Sequence, residues 1–255
     1  MKFSANLGFL WSELSLEKRC EAAAKAGFSA VEFHWPYAVD AYVMRDVLAR
    51  CGLTALGLNT RLGAQQGDFG VSAIPGRADE ARAHIDEAIE YAAIIGSPNI
   101  HVMAGLVQRD AAHAQFVENL RYATQKAGDK VIIIEPINTH DVPGYFLGSC
   151  AQARQICKDV GAENLKLLFD CYHVARMGGD LYQQLQEFFY DIAHIQFAGV
   201  PTRGNPDEGD VAYQEVFSYL DRIGYQGWLG AEYRPNGRTE DTLTWKRWGG
   251  AAGTV

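Results

Sequence analysis

Short runs of β-branched and other apolar residues recur along the chain. Each is followed by a longer stretch in which apolar residues return every three or four positions. The runs are FSANLGF (3–9), AVEFHW (30–35), LTALGLN (53–59), NIHVMAG (99–105), VIIIEPIN (131–138), LKLLFDCYH (165–173), IAHIQFAG (192–199) and WLGAEYRP (228–235). They are short and apolar on both faces, as strands are when a sheet is covered on both sides. The intervening stretches at 16–27, 41–52, 78–96, 111–128, 149–161, 181–191 and 213–224 read as amphipathic helices, and 239–248 reads as a last helix.

The punctuation agrees with that alternation. Gly27, Gly52, Gly96, Gly128, Gly161 and Gly224 each follow a helical stretch, where a left-handed residue ends a helix at least cost to glycine. Ser149 and Thr239 are placed to cap helices. Eight strand–helix units in 255 residues predict an α/β fold, a (β/α)8 TIM barrel with a parallel eight-stranded core, as one domain spanning 1–255. The alternative is an open doubly wound sheet. That fold usually carries a glycine-rich phosphate loop after its first strand, and neither GxGxxG nor GxxxxGK[ST] occurs. The Gly-rich loop 61–77 is long enough to serve as a lid over the barrel mouth.

Barrel enzymes build their sites at the C-terminal ends of the strands. Here strand 5 ends in Glu135, strand 6 in Asp170 followed by His173, strand 7 in Gln196 and strand 8 in Glu232, with Arg234 beyond it. Earlier strands bring Asn6, Glu32 with His34, Asn59 and His101 to the same end; Asn6 and His101 are substrate-binding candidates. Carboxylates placed side by side at equal height repel one another and are costly to desolvate. A divalent cation resolves the repulsion, and an all-oxygen donor set of Glu135, Asp170, Gln196 and Glu232 suits Mg²⁺ or Mn²⁺. The apolar run before Glu135 thus serves to deliver a metal ligand.

Composition narrows the partners. A formal charge of −8 works against nucleic acid and anionic membranes as partners. The longest apolar runs fall far short of the roughly 20 residues of a membrane helix. Five scattered cysteines without a CxxC pair suit reduced thiols, and the first residues show no apolar signal core, so a cytoplasmic location is expected. Trp245 and Trp248 are expected to pack against the barrel bottom, with a contact in a homo-oligomer as the alternative.

The segments IIIEPIN, LLFDCYHVARMGGD, HIQFAGVPTRGNPDEGDVAY and GAEYRP, with FSANLGFLWSE and AVEFHWP before them, resemble the hydroxypyruvate isomerase family of the xylose-isomerase-like barrels. The resemblance implies a divalent-metal site matching Glu135, Asp170, Gln196 and Glu232, with the two glutamates moving a proton between neighbouring carbons. It also implies that His173 and Arg203 contact substrate oxygens. The expected substrate is a small hydroxy or oxo acid, hydroxypyruvate or the four-carbon 2-dehydrotetronate, with its carboxylate met by Arg203 or Arg61. A ketose 3-epimerase is the alternative. An endonuclease IV type of repair enzyme uses more histidines than the seven present.

Overall fold

A computed structural model describes residues 1–107 and 110–249 of the chain. Eight strands close into a parallel barrel in chain order: β1 (Lys2–Asn6), β2 (Ala30–Glu32), β3 (Thr54–Asn59), β4 (Asn99–His101), β5 (Val131–Ile134), β6 (Leu165–Asp170), β7 (Ile192–Phe197) and β8 (Trp228–Ala231), with β8 returning to pair with β1. Helices α1 (Leu16–Lys25), α2 (Ala41–Cys51), α3 (Ala78–Ile95), α4 (Asp110–Lys126), α5 (Cys150–Val160), α6 (Cys171–Arg176), α7 (Leu181–Phe188) and α8 (Tyr213–Arg222) lie between the strands.

Six of the helices end as the sequence pattern predicts, α4 among them with a left-handed Gly128 just after Lys126. Gly52, Gly96 and Gly161 stand in the left-handed region at the ends of α2, α3 and α5, while Gly27 and Gly224 take the same conformation one residue beyond the caps of α1 and α8. The hydroxyl of Ser149 accepts from Gln152 N at 3.2 Å and caps α5.

Two segments depart from the pattern. The run 165–173 is not all strand: the side chain of Asp170 accepts from Tyr172 N at 2.8 Å and starts α6, so His173 stands in the first turn of a helix. At the far end of the chain, 239–248 forms two 3₁₀ turns, Thr239–Thr242 and Thr244–Gly249, instead of a helix. Thr239 caps nothing there. Its hydroxyl accepts from Trp11 N at 2.9 Å, and Thr242 and Trp245 bond to the Tyr233 hydroxyl, so tertiary contacts override local helix propensity. Trp245 is fully buried against Phe3 of β1, Phe28 and Phe197, the last residue of β7.

The barrel interior is not purely apolar. Glu32 is buried among Ser4, His194 and Gln196; Ser4 Oγ and Gln196 Nε2 (2.8 Å) donate to its carboxylate, and His194 Nε2 lies 2.9 Å away. Burial pushes the Glu32 carboxyl up, but the neighbouring His194 and these donors outweigh it and hold it below the ordinary value. Gly230 on β8 faces this group, and a Cβ there would overlap Glu32 Oε1. Gly230→Ala is therefore expected to destabilise the fold by about 1–3 kcal/mol, the usual cost of overpacking. Urea unfolding at an unchanged slope measures it, and an unshifted midpoint contradicts this packing.

Candidate active site

The mouth of the barrel opens into a cavity of about 750 Å³. Glu135, His173, Glu232, His101 and Arg203 line it, together with His34 and an aromatic wall of Phe9, Trp35, Phe69 and Tyr172. Local sequence explains how the polar groups reach it. Glu135 precedes Pro136, and a residue before proline is held extended, so the direction of β5 continues through the carboxylate. Asp170 is the last residue of β6 and is held by its capping bond, and α6 then turns His173 back over it. Glu232 follows β8 and is anchored by its backbone N–H to Phe197 O at 3.1 Å.

Glu135, Asp170 and His173 offer ligand atoms within 4.8 Å of one another and could hold a metal ion. His173 Nε2 lies 3.3 Å from Glu135 Oε1 and 3.5 Å from Asp170 Oδ2. Glu232 belongs to the same charge system but is held differently. Asn6 Nδ2 donates to its Oε1 at 3.0 Å, His34 Nε2 lies 2.7 Å from that oxygen, and Arg203 pairs with Oε2. The Arg203 guanidinium reaches across the site: Nη2 also donates to Asp170 Oδ2 at 3.1 Å, and Nη1 sits 2.9 Å from His173 Nε2. Its backbone is left-handed, φ 55°, an uncommon conformation for a side chain of this size.

These charges reset one another. Burial, with Glu232 and Asp170 close by, raises the Glu135 carboxyl well above its ordinary value. Asp170 is pushed up to about 7 by burial, against the opposing pull of Arg203. For Glu232 burial acts upward too, but Arg203 and the His34 hydrogen bond prevail and bring it down to about 2. Burial takes His101 down to about 4, and burial with Arg203 nearby depresses His173. Of the two carboxyls that share the Arg203 guanidinium, Asp170 resists ionisation and Glu232 favours it.

The donor set fits a hard divalent cation on one observation in particular. Glu135 Oε1 and Gln196 Oε1 are buried with no hydrogen-bond donor on either. Each leaves a lone pair unmet in a region already rich in negative charge. Gln196 pairs in register with Asp170, which puts both side chains on the same face of the sheet at the same height. Its amide nitrogen is already committed to Glu32.

Among the substrate-contact candidates, His173, Arg203 and His101 line the cavity, while Asn6 lies beneath it with its amide on Glu232 and its Oδ1 accepting from Gly8 N at 2.9 Å. Arg61 is drawn away: it pairs with Glu87 at 2.5 Å and stacks on Tyr37 outside the cavity. The loop 61–77 does reach the mouth through Gly67 and Phe69, yet it is tied down by Arg77 to Asp68 and by Ala73 N to Ala104 O, each at 2.7 Å.

Other contributors carry weaker sequence signals. Asn138 Nδ2 lies 2.6 Å from His173 Nδ1, and its amide is oriented by Asp141, which also accepts from the Tyr172 hydroxyl. The IIIEPIN stretch contains Asn138, but only the fold shows that it meets His173. Gly8 makes room for His34, since a Cβ there would overlap the imidazole ring.

The model of the xylose isomerase-like TIM barrel family matches residues 20–247. The chain is 44% identical over 251 residues, 96% of each protein, to the 2-oxo-tetronate isomerase of Cupriavidus necator. It is 38% identical over 252 residues to the hydroxypyruvate isomerase of Escherichia coli, covering 96% of this chain and 98% of that one. Among solved structures, the AP endonuclease, family 2, from Brucella melitensis superposes with a TM-score of 0.94 at 37% identity, over 96% of this chain and 98% of that one.

A bound ion stabilises the folded state by mass action, by about 2.7 kcal/mol at a hundred times its dissociation constant. For a protein of this size that corresponds to roughly 5–10 °C in Tm. Metal-stripped protein is expected to gain such a shift on addition of Mn²⁺, and the double variant Glu135→Gln, Asp170→Asn to lose it. Scanning calorimetry reads both; a wild-type Tm indifferent to the ion contradicts the site.

Proposed function

The chain belongs to the xylose isomerase-like TIM barrel family, in the group that holds the 2-oxo-tetronate and hydroxypyruvate isomerases, and from that premise we propose that it isomerises a small 2-oxo acid by moving a proton between neighbouring carbons. The two substrates are 2-oxo-tetronate, giving its 3-oxo isomer, and hydroxypyruvate, giving tartronate semialdehyde. The cavity has room for either acid. The relative at 44% identity is named for the four-carbon acid and the one at 38% for the three-carbon acid, which gives the four-carbon acid the greater weight.

One observation carries this reading: Glu135 and Glu232 line the same cavity from the ends of β5 and β8, on either side of the two strands that carry Asp170 and Gln196. A substrate lying between them has one carboxyl group near each of two adjacent carbons. One glutamate takes the proton from C3, and the electron pair of that bond becomes the C2–C3 double bond of an enediolate. The other glutamate returns a proton to C2. The hydroxyl proton on the C3 oxygen passes to the C2 oxygen, so the carbonyl moves from C2 to C3 with no net gain or loss of atoms or electrons. His173, its Nδ1 faced by Asn138, presents Nε2 toward the substrate oxygens. The aromatic wall limits the water that can reach the enediolate.

The resident cation is Mg²⁺ or Mn²⁺, and Glu135, Asp170, Gln196 and Glu232 would hold it, with His173 close by. The chemistry it supplies when bound is electrostatic, offsetting negative charge that develops on the substrate oxygens.

Glu135→Gln and Glu232→Gln keep size and hydrogen bonding but remove the ability to accept a proton. Each is expected to lower kcat on both acids by about 10²–10⁴-fold, the usual weight of general acid–base catalysis. Circular dichroism checks that the fold persists. Turnover within a few-fold of wild type in either variant contradicts the two-glutamate mechanism.

A further inference from the structure

An anionic substrate entering this cavity meets three acidic groups on its walls, Glu135, Asp141 and Glu232. Two permanent cations, Arg203 and Arg234, line it as well. The charge of Arg203 is already met by Glu232 and Asp170. Arg234 is different. It is exposed to the cavity, and among the described residues no acidic side chain pairs with it. The contact recorded for its guanidinium is with the ring of Phe9, 5.1 Å from the centroid, and Arg203 lies 5.3 Å from the centroid of the same ring.

We propose that Arg234 binds the carboxylate of the substrate and so restricts the enzyme to 2-oxo acids over the matching neutral ketoses. This inference rests on the isomerase reading above and adds to it the residue that recognises the acid group. The backbone places Arg234 for that task. Glu232 and Arg234 are two residues apart on an extended segment, with Tyr233 between them buried and bonded to Thr242 on the opposite side. Alternation therefore turns Glu232 and Arg234 to the same side, with about 6–7 Å between their α-carbons. That span suits an acid of three or four carbons, its carboxylate at one end and its reacting carbon at the other.

The position is also fixed. Arg234 N donates to Arg203 O at 2.7 Å, and Asn236 N donates to Asn205 Oδ1 at 3.1 Å, so the segment after β8 is fastened to the loop that carries Arg203. Contact with Phe9 restrains the guanidinium while leaving N–H groups free, and a guanidinium edge matches a carboxylate with two parallel hydrogen bonds. The sequence pattern presents Arg234 only as a residue beyond strand 8; that no acidic side chain among the described residues pairs with it is visible in three dimensions.

The test compares each acid with the ketose in which CH₂OH replaces the carboxylate: hydroxypyruvate with dihydroxyacetone, and 2-oxo-tetronate with erythrulose. In Arg234→Gln the KM for the acids is expected to rise roughly 30–100-fold, the size of a lost charge-assisted contact, with kcat changed far less. kcat/KM for the neutral ketoses should stay within a few-fold, and Arg234→Lys should recover part of the acid affinity. An unchanged acid KM in Arg234→Gln overturns the inference while the isomerase reading stands. Wild-type enzyme that converts neither acid overturns the isomerase reading instead. Calorimetric titration with pyruvate, which lacks the C3 hydroxyl and cannot isomerise, then decides for Arg234: weaker binding in Arg234→Gln supports the role, and equal binding overturns it.

Discussion

Negative charge buried at the barrel mouth is the constraint on which the surrounding structure depends. Among the described residues Glu32, Glu135, Asp170 and Glu232 are all buried, and unscreened carboxylates in such surroundings repel strongly. The chain meets the problem in two layers. Below, Glu32 is satisfied by Ser4, His194 and Gln196, and that carboxylate is structural. Above, Asp170 and Glu232 share the Arg203 guanidinium, while Glu135 beside them has no ion pair with it. The unmet oxygen of Glu135 marks where compensation is incomplete, and it lies beside the ligand atoms of Asp170 and His173.

The two layers are joined through Gln196. Its amide nitrogen completes the shell of Glu32 while its oxygen remains without a donor. A hydrogen bond in the lower layer thus orients a side chain of the upper one, as groups behind a metal ligand commonly do. Asn6 plays a similar part for Glu232, and Asn138 with Asp141 for His173. Small residues make this crowding possible, with Gly230 leaving space for Glu32 and Gly8 for His34.

Much of this was legible in the sequence because barrel topology converts order along the chain into position around a ring. Once eight strands alternate with helices, residues at the strand ends must face one another, and Glu135, Asp170 and Glu232 could be grouped without coordinates. The closed eight-stranded barrel agrees with that reading. The missed features depend on side chains meeting across the fold. Asp170 caps a short helix that a run of apolar residues disguised as strand. The last segment has helical periodicity, but Thr239 and Thr242 bond to distant groups instead. Arg61 and Arg234 are both loop arginines in the sequence; only the fold shows that Glu87 occupies the first and that, among the described residues, no acid pairs with the second.

In the proposed reaction two glutamates on opposite sides of one substrate move a proton, not a hydride. The most direct measurement uses hydroxypyruvate carrying two deuterium atoms at C3, turned over in ordinary water by enzyme supplied with Mg²⁺ or Mn²⁺, with NMR following the label. If one glutamate removes deuterium from C3 and the other returns a proton to C2, the product retains one deuterium at C3 and carries hydrogen from water at C2. A deuterium found intact at C2, with none lost to water, indicates direct hydride transfer between the carbons and contradicts the account.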